Sequence, residues 1–193
     1  MWRTVGCTAV AVVSLTPPIV SPQIAGRDLG TLQDGRYYHL RTGINFAVPV
    51  GWTLLVAGPS SDGGEMVTLR DSGTDTTLSV WMIVTKTSQE GIAAAGRADW
   101  YRHVVGMKIR QRYDQGLRDY WVAADTIQER VISGRNALAA VGEFTEGGQR
   151  VAECLTWIVG DNARAFFFAR APKSSLDLVQ LRFDELVATA VIP

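Results

Sequence analysis

The strongest constraint on the fold of this chain lies in its second half, where two extended runs carry apolar side chains on both of their sides. In Gln149–Val159, Val151, Leu155 and Trp157 alternate with Ala152, Cys154 and Ile158, and Arg164–Arg170 places Phe166-Phe167-Phe168 on successive positions. Successive side chains of a strand point to opposite faces, so neither run tolerates water on one side, and the sheet they form needs cover on both faces. One cover is the last segment, where Leu176, Val179, Phe183, Leu186 and Ala190 fall on a single helical stripe. Burying three of its large side chains contributes on the order of 5–9 kcal/mol before the entropy of ordering is set against it. Ser174-Ser175-Leu176-Asp177 has the pattern of a capping box at its start.

The same sheet is extended by strands predicted at Asp125–Ile132 and Ala137–Phe144, joined through Ser133-Gly134-Arg135-Asn136 and Glu146-Gly147-Gly148. Four more strands are predicted upstream: Tyr37–Leu40, Asn45–Pro49 leading through Val50-Gly51 to Trp52–Ala57, then Glu65–Arg70 and Thr77–Thr85. The turn-rich stretches Gly58–Gly64 and Asp71–Asp75 between them are expected to face solvent.

Between the two groups of strands the period changes. Thr87-Ser88-Gln89-Glu90 reads as a capping box, and Ile92, Trp100, Val104 and Met107 follow at helical spacing as the apolar side, with Arg97, Asp99 and Arg102 opposite. Gly106 weakens this helix and Gly116 ends it. Arg102, Lys108, Arg110 and Arg112 read as a solvated face of the helix rather than an anion site. Leu117–Ala124 reads as a linker. The fold class is therefore α+β.

At the N-terminus, Arg3 precedes a charge-free run from Thr4 to Leu15 that is broken by Thr16-Pro17-Pro18. Its length of about 12 residues suits an export signal, since a membrane-spanning helix needs about 20. Residues 1–26 are read as a signal peptide cleaved near Arg27, and 27–193 as a single domain, which makes the mature protein secreted or periplasmic with only transient membrane contact during export. Cys7 would leave with the signal, and Cys154 would remain as a small buried hydrophobe. Nineteen basic residues balance nineteen acidic ones without a basic run that could follow a line of phosphates, so nucleic acid is not an expected partner.

Tyr37-Tyr38-His39-Leu40, then Gly43-Ile44-Asn45-Phe46-Ala47-Val48-Pro49-Val50-Gly51-Trp52, resembles the opening of Mog1/PsbP-like domains. Ser133–Ala137, Gly147–Val151, Ala165–Phe168 and the final amphipathic helix look like the back half of the same domains. The resemblance runs from Tyr37 to Ile192 and implies a three-layer α/β/α sandwich around an antiparallel sheet. It transfers no activity, because members of that family serve as photosystem subunits, a GTPase-binding factor and exported proteins of unknown role.

A search for chemistry yields no catalytic, cofactor or metal assignment. Only His39 and His103 are present, neither with a second ligand at metal spacing, and the motifs of zincin peptidases, α/β-hydrolases and P-loop nucleotide binders are all missing from the sequence. Asp71 and Asp75, and Asp62 and Glu65, bracket glycine-bearing loops and read as turn residues rather than calcium ligands. The remaining candidates are aromatic: Trp100 and Tyr101 on the helix, and Tyr120 and Trp121 after it, as contacts for an apolar ligand or a protein partner. The leading expectation is an exported, non-enzymatic binding module. The alternative is a hydrolase-like enzyme using His103 with a distant carboxylate.

Overall fold

A computed structural model of the chain describes residues 29–59, 64–71, 73, 76–84 and 97–193. The signal-peptide reading, the capping box at Thr87–Glu90 and the positions of Ile92, Asp62 and Asp75 lie outside these residues.

The hairpins follow from the turn residues. At Asp34-Gly35, Ser133-Gly134 and Gly147-Gly148 both residues have positive φ, the geometry whose twist matches that of the flanking strands. The first of these joins β1 (Gly30–Gln33) to β2 (Arg36–His39), and β3 (Asn45–Ala47) completes a small antiparallel sheet in the order β1-β2-β3. Strand β1 was not predicted, although Asp34-Gly35 is a hairpin signal and marks it.

The main sheet contains β4 (Trp52–Pro59), β5 (Glu65–Asp71), β6 (Thr76–Val84), β9 (Arg135–Glu146), β10 (Gln149–Val159) and β11 (Ala163–Pro172). Its order is β4-β5-β6-β11-β10-β9, and the outer side of β9 pairs with β7 (Trp121–Val122) and β8 (Gln128–Ile132). Every described pairing is antiparallel. The stretch expected to be a linker thus contributes β7, and the strand expected from Asp125 begins only at Gln128, after a 3-10 turn at Ala124–Thr126.

Two helices lie on opposite sides of this sheet, α1 (Arg97–Asp114) and α2 (Leu176–Ala188). The stripe on α2 buries Val179, Phe183, Leu186 and Val187 in one large apolar cluster with Cys154, Ile158, Phe167, Leu69 and Val80. Phe46 meets Phe167 edge-on in the same cluster, with ring centroids 5.8 Å apart, which draws the small sheet into this layer. The small sheet is tied to the end of α2 by Ala47 N–H donating to Thr189 Oγ1 at 2.9 Å and by the Asn45–Val191 bridge. The expected capping box is not made: a 3-10 turn at Lys173–Ser175 leads into α2, and Ser175 donates its hydroxyl to Pro172 O instead of capping the helix.

Candidate functional site

The other side of the sheet is built differently. Val104, Lys108 and Arg112 are spaced by four residues, which places them on one face of α1. That face is turned to the sheet and all three are buried. Lys108 and Arg112 therefore do not belong to a solvated face, and Met107, expected inside, is 53% exposed. The physical reason is Glu153. The register of β10 puts this residue, fully buried, on the α1 side among Leu155, Phe166 and Phe168, and a buried carboxylate must be paired.

Four groups converge on it. Arg112 donates through Nη2 to Oε1 and through Nε to Oε2 at 3.3 Å, and its Nη1 donates to Gln115 Oε1 at 2.6 Å. Arg170 Nε donates to Oε1 at 3.1 Å, and the Tyr120 hydroxyl donates to Oε2 at 2.9 Å. Lys108 Nζ stands 3.7 Å from Oε2 and above two aromatic rings, 4.4 Å from the centroid of Phe166 and 4.9 Å from that of Phe168. Tyr120 reaches the carboxylate because residue 142 is glycine: a side chain there would occupy the space of the Tyr120 ring. Burial alone would push the Glu153 carboxyl up, but the three cations outweigh it and hold it below the ordinary carboxylate range. Burial pulls Lys108 down to about 7, with the charge of Glu153 opposing and those of Arg112 and Arg170 adding.

With Lys108 and Arg112 turned inward, α1 leaves some of its apolar side chains exposed beside Arg102, His103 and Arg110. Ile109 and Tyr113, four residues apart, are 37% and 49% exposed on one flank of the helix, and Met107 is exposed on the other. Along one flank, Val105, Gly106, Ile109 and Ile127 line an almost wholly apolar groove of about 410 Å³, with Arg102 at its rim.

The aromatic candidates divide. The backbone of Trp100 and Tyr101 is in α1, and their side chains lie outside the described residues. Tyr120 is buried against Glu153, whereas Trp121 pairs with Glu143 and is 45% exposed. His103 is exposed on α1, and no described carboxylate is bonded to it.

His39 is the histidine with partners. It is buried, its Nδ1 accepts the Thr42 backbone N–H at 3.3 Å and lies 2.6 Å from the Thr42 hydroxyl, and its Nε2 faces the Glu65 carboxylate, which also holds Arg41 at 3.0 Å. A backbone N–H can only donate, so Nδ1 is the acceptor and the hydrogen sits on Nε2 toward Glu65. Burial lowers the His39 pKa despite that neighbour. The Thr42 oxygen in turn accepts Ile44 N–H at 3.3 Å, so the unit fastens the turn after β2 to the start of β5. Asp71, read as a turn residue, is buried and accepts from Arg182 of α2 at 2.5 Å. Cys154 is buried and its thiol is pushed up to about 12 by burial, then by Asp184 and Glu153. Among the described residues no three His, Cys, Asp or Glu side chains are placed to hold a metal, and no helix is long and apolar enough to cross a membrane.

The signal for the Glu153 cluster was present in the sequence as a single charge inside the apolar run Val151–Val159, with Lys108 and Arg112 in step with Val104. The pairing itself spans 41 residues between Arg112 and Glu153, beyond any local pattern.

No family profile and no curated protein matches the chain by sequence. The architecture is nonetheless shared: cyanobacterial PsbP from Synechocystis superposes with a TM-score of 0.59 at 16% identity, over 82% of this chain and 91% of that one. The fold is PsbP/Mog1-like. LpqN of Mycobacterium tuberculosis, involved in cell envelope biogenesis, aligns more loosely, with a TM-score of 0.48 at 14% identity over 78% of this chain and 83% of that one. The three-layer arrangement implied by the resemblance to Mog1/PsbP-like domains is thus the one observed, and within this PsbP-like fold it is the α1 layer that departs from an apolar interface.

Proposed function

We propose that this protein is an exported, non-catalytic binding module that engages its partner through the outer face of α1. The observation that carries this reading is on α1: Lys108 and Arg112 face the sheet, while Ile109 and Tyr113 on one flank and Met107 on the other are exposed. Exposed Ile109, Tyr113 and Met107 on a helix that commits Lys108 and Arg112 to an internal carboxylate are apolar surface available to be covered. The non-catalytic part rests on the structural partners of two buried carboxylates. Glu153 is held by Arg112, Arg170 and Tyr120, and Asp71 by Arg182. The exported part rests on the charge-free run Thr4–Leu15.

The test exploits the buried Cys154, whose raised pKa keeps it unreactive. In a Cys7→Ser background, Tyr113→Cys and Leu181→Cys each add one exposed thiol, on α1 and α2 respectively. Maleimide labelling in intact native-host cells and on purified protein is expected to show protection of Tyr113→Cys in cells alone, with Leu181→Cys labelled equally in both. Equal labelling of Tyr113→Cys in both settings overturns the binding face, and failure of a membrane-impermeant maleimide to reach Leu181→Cys in cells overturns export.

A further inference from the structure

We infer that the His39 unit is a proton-operated latch: the neutral imidazole fastens the turn between β2 and β3 to β5, and its protonation in mildly acid surroundings releases that corner of the small sheet. Among the described residues, two sets of polar contacts fasten the small sheet to the rest of the domain. On the α2 side they involve no group that titrates near neutral pH: Ala47 N–H on Thr189 Oγ1 at 2.9 Å, Asn45 N–H on Val191 O at 3.1 Å and the Arg36 guanidinium on Thr189 O at 2.9 Å. At the turn the fastening runs through one carboxylate, Glu65, which faces His39 Nε2 and pairs with Arg41 Nε at 3.0 Å. A proton therefore acts on one side of the small sheet and leaves the other in place.

The turn depends on an acceptor that protonation removes. With its hydrogen on Nε2, His39 offers Nδ1 to both the backbone N–H and the hydroxyl of Thr42, at 3.3 and 2.6 Å, and Thr42 Oγ1 in turn accepts Ile44 N–H at 3.3 Å. An imidazolium has no acceptor, so the N–H of the buried Thr42 loses its partner. The His39 ring is itself fully buried, and its charged form reaches water only when the turn opens. Tyr37 shares its face of β2, with ring centroids 6.5 Å apart, Arg41 and Thr42 approach from the turn, and Glu65 approaches from β5. Tyr37, pushed up to about 12 by burial and then by Glu65, stays neutral, and Arg41 disfavours a second cation. Glu65 favours the imidazolium, but burial outweighs it and holds the His39 pKa below the ordinary value of 6.5. The latch is accordingly in full force above pH 6.5 and is lost as pH falls through the lower value of the folded chain.

The experiment is amide hydrogen exchange of the purified chain, resolved by residue with NMR and corrected for the intrinsic rate, between about pH 7.5 and about pH 5. Thr42 and Ile44 are expected to lose about tenfold in protection at the lower pH, the scale of one hydrogen bond, while Asn45, Ala47 and the amides of β10 keep theirs. Equal protection of Thr42 and Ile44 at both pH values, or a loss shared equally by Ala47 and β10, overturns the latch. His39→Asn puts a side-chain oxygen near the place of Nδ1, so it retains an acceptor for the Thr42 N–H and cannot titrate, and its protection is expected to be independent of pH. A loss of the parental size in that variant assigns the effect to another group and overturns the inference. Glu65→Gln keeps the histidine and removes the charge that favours its protonated form, which keeps the test decisive if His39→Asn does not fold. Its transition is expected about one pH unit lower than the parent's, and a transition that stays in place or moves up overturns the arrangement.

Discussion

The two helices of this domain cover the same sheet by opposite means. On the α2 side, Val179, Phe183, Leu186 and Val187 meet a continuous apolar cluster that also takes in the small sheet. On the α1 side, the buried apolar cluster among the described residues is Ala140, Leu155 and Phe166, and the helix is seated by Lys108 and Arg112 on Glu153. Apolar burial is non-directional and tolerant of small shifts, whereas a buried carboxylate shared by three cations and a hydroxyl fixes position through specific bonds. The α2 layer is therefore built for stability. The α1 layer is built for placement.

The comparison breaks most severely at the centres of the two interfaces. Phe183→Asp places an unpaired charge in the largest cluster and is expected to leave the purified chain unfolded, read as loss of the near-ultraviolet dichroism. Phe183→Ala should remain measurable by urea denaturation, at a cost of about 3–5 kcal/mol. Glu153→Ala is expected to cost a similar about 3–5 kcal/mol, because it strands Lys108 and Arg112 in a dry site. If Glu153→Ala costs under about 1 kcal/mol, the α1 seat is not the anchor argued for here.

The two layers also differ in how far they could be read from sequence. The α2 stripe, the paired faces of β10 and β11 and the turns at Ser133-Gly134 and Gly147-Gly148 follow local periods of two and 3.6, and local periods survive into the fold. Strand β1 was missed although Asp34-Gly35 marks its hairpin. The α1 seat was read backwards, with Lys108 and Arg112 outside and Met107 inside, because a periodicity argument assigns charged residues to water. It has no means of knowing that Glu153, on a strand far along the chain, pays for their burial. Tyr120 was picked out as an aromatic ring, but its role depends on its hydroxyl and on Gly142 beneath it, and neither follows from spacing. The His39 unit was invisible for the same reason, since Glu65 arrives from a different strand.

A smaller effect sharpens the contrast through pH. Lys108 titrates near 7 in the folded chain, against 10.5 as its ordinary value. Below pH 7 it is charged in both folded and unfolded states, and its burial counts fully against the fold. Between about 7 and 10.5 the unfolded chain binds the extra proton, so this residue makes stability rise with pH across that window and contributes no further slope above it. Lys108→Met keeps the stem that packs on Phe166 and Phe168, leaves Arg112 and Arg170 on Glu153, and removes the titration. Urea denaturation at pH 6 and pH 9 is expected to show the variant ahead of the parent at the lower pH, by about 1–2 kcal/mol, with the gap narrowing at the higher pH. A gap that is the same at both values would mean that Lys108 keeps its proton throughout.

The smallest effect on folding is expected on the outward face of α1. Met107→Gln and Tyr113→Ser change only side chains that are about half exposed, and substitutions at such positions away from caps and buried networks generally stay within about 0.5 kcal/mol. Tyr113 tests the idea more strictly, because its ring supports the Arg118 guanidinium and a large loss there would show that the aromatic is structural after all. Urea midpoints that match the parent would leave these apolar residues without a task in holding the domain together. Apolar surface that folding does not need is what the proposed binding face requires, and the same variants then become clean probes of binding because any affinity they lose cannot be charged to the fold.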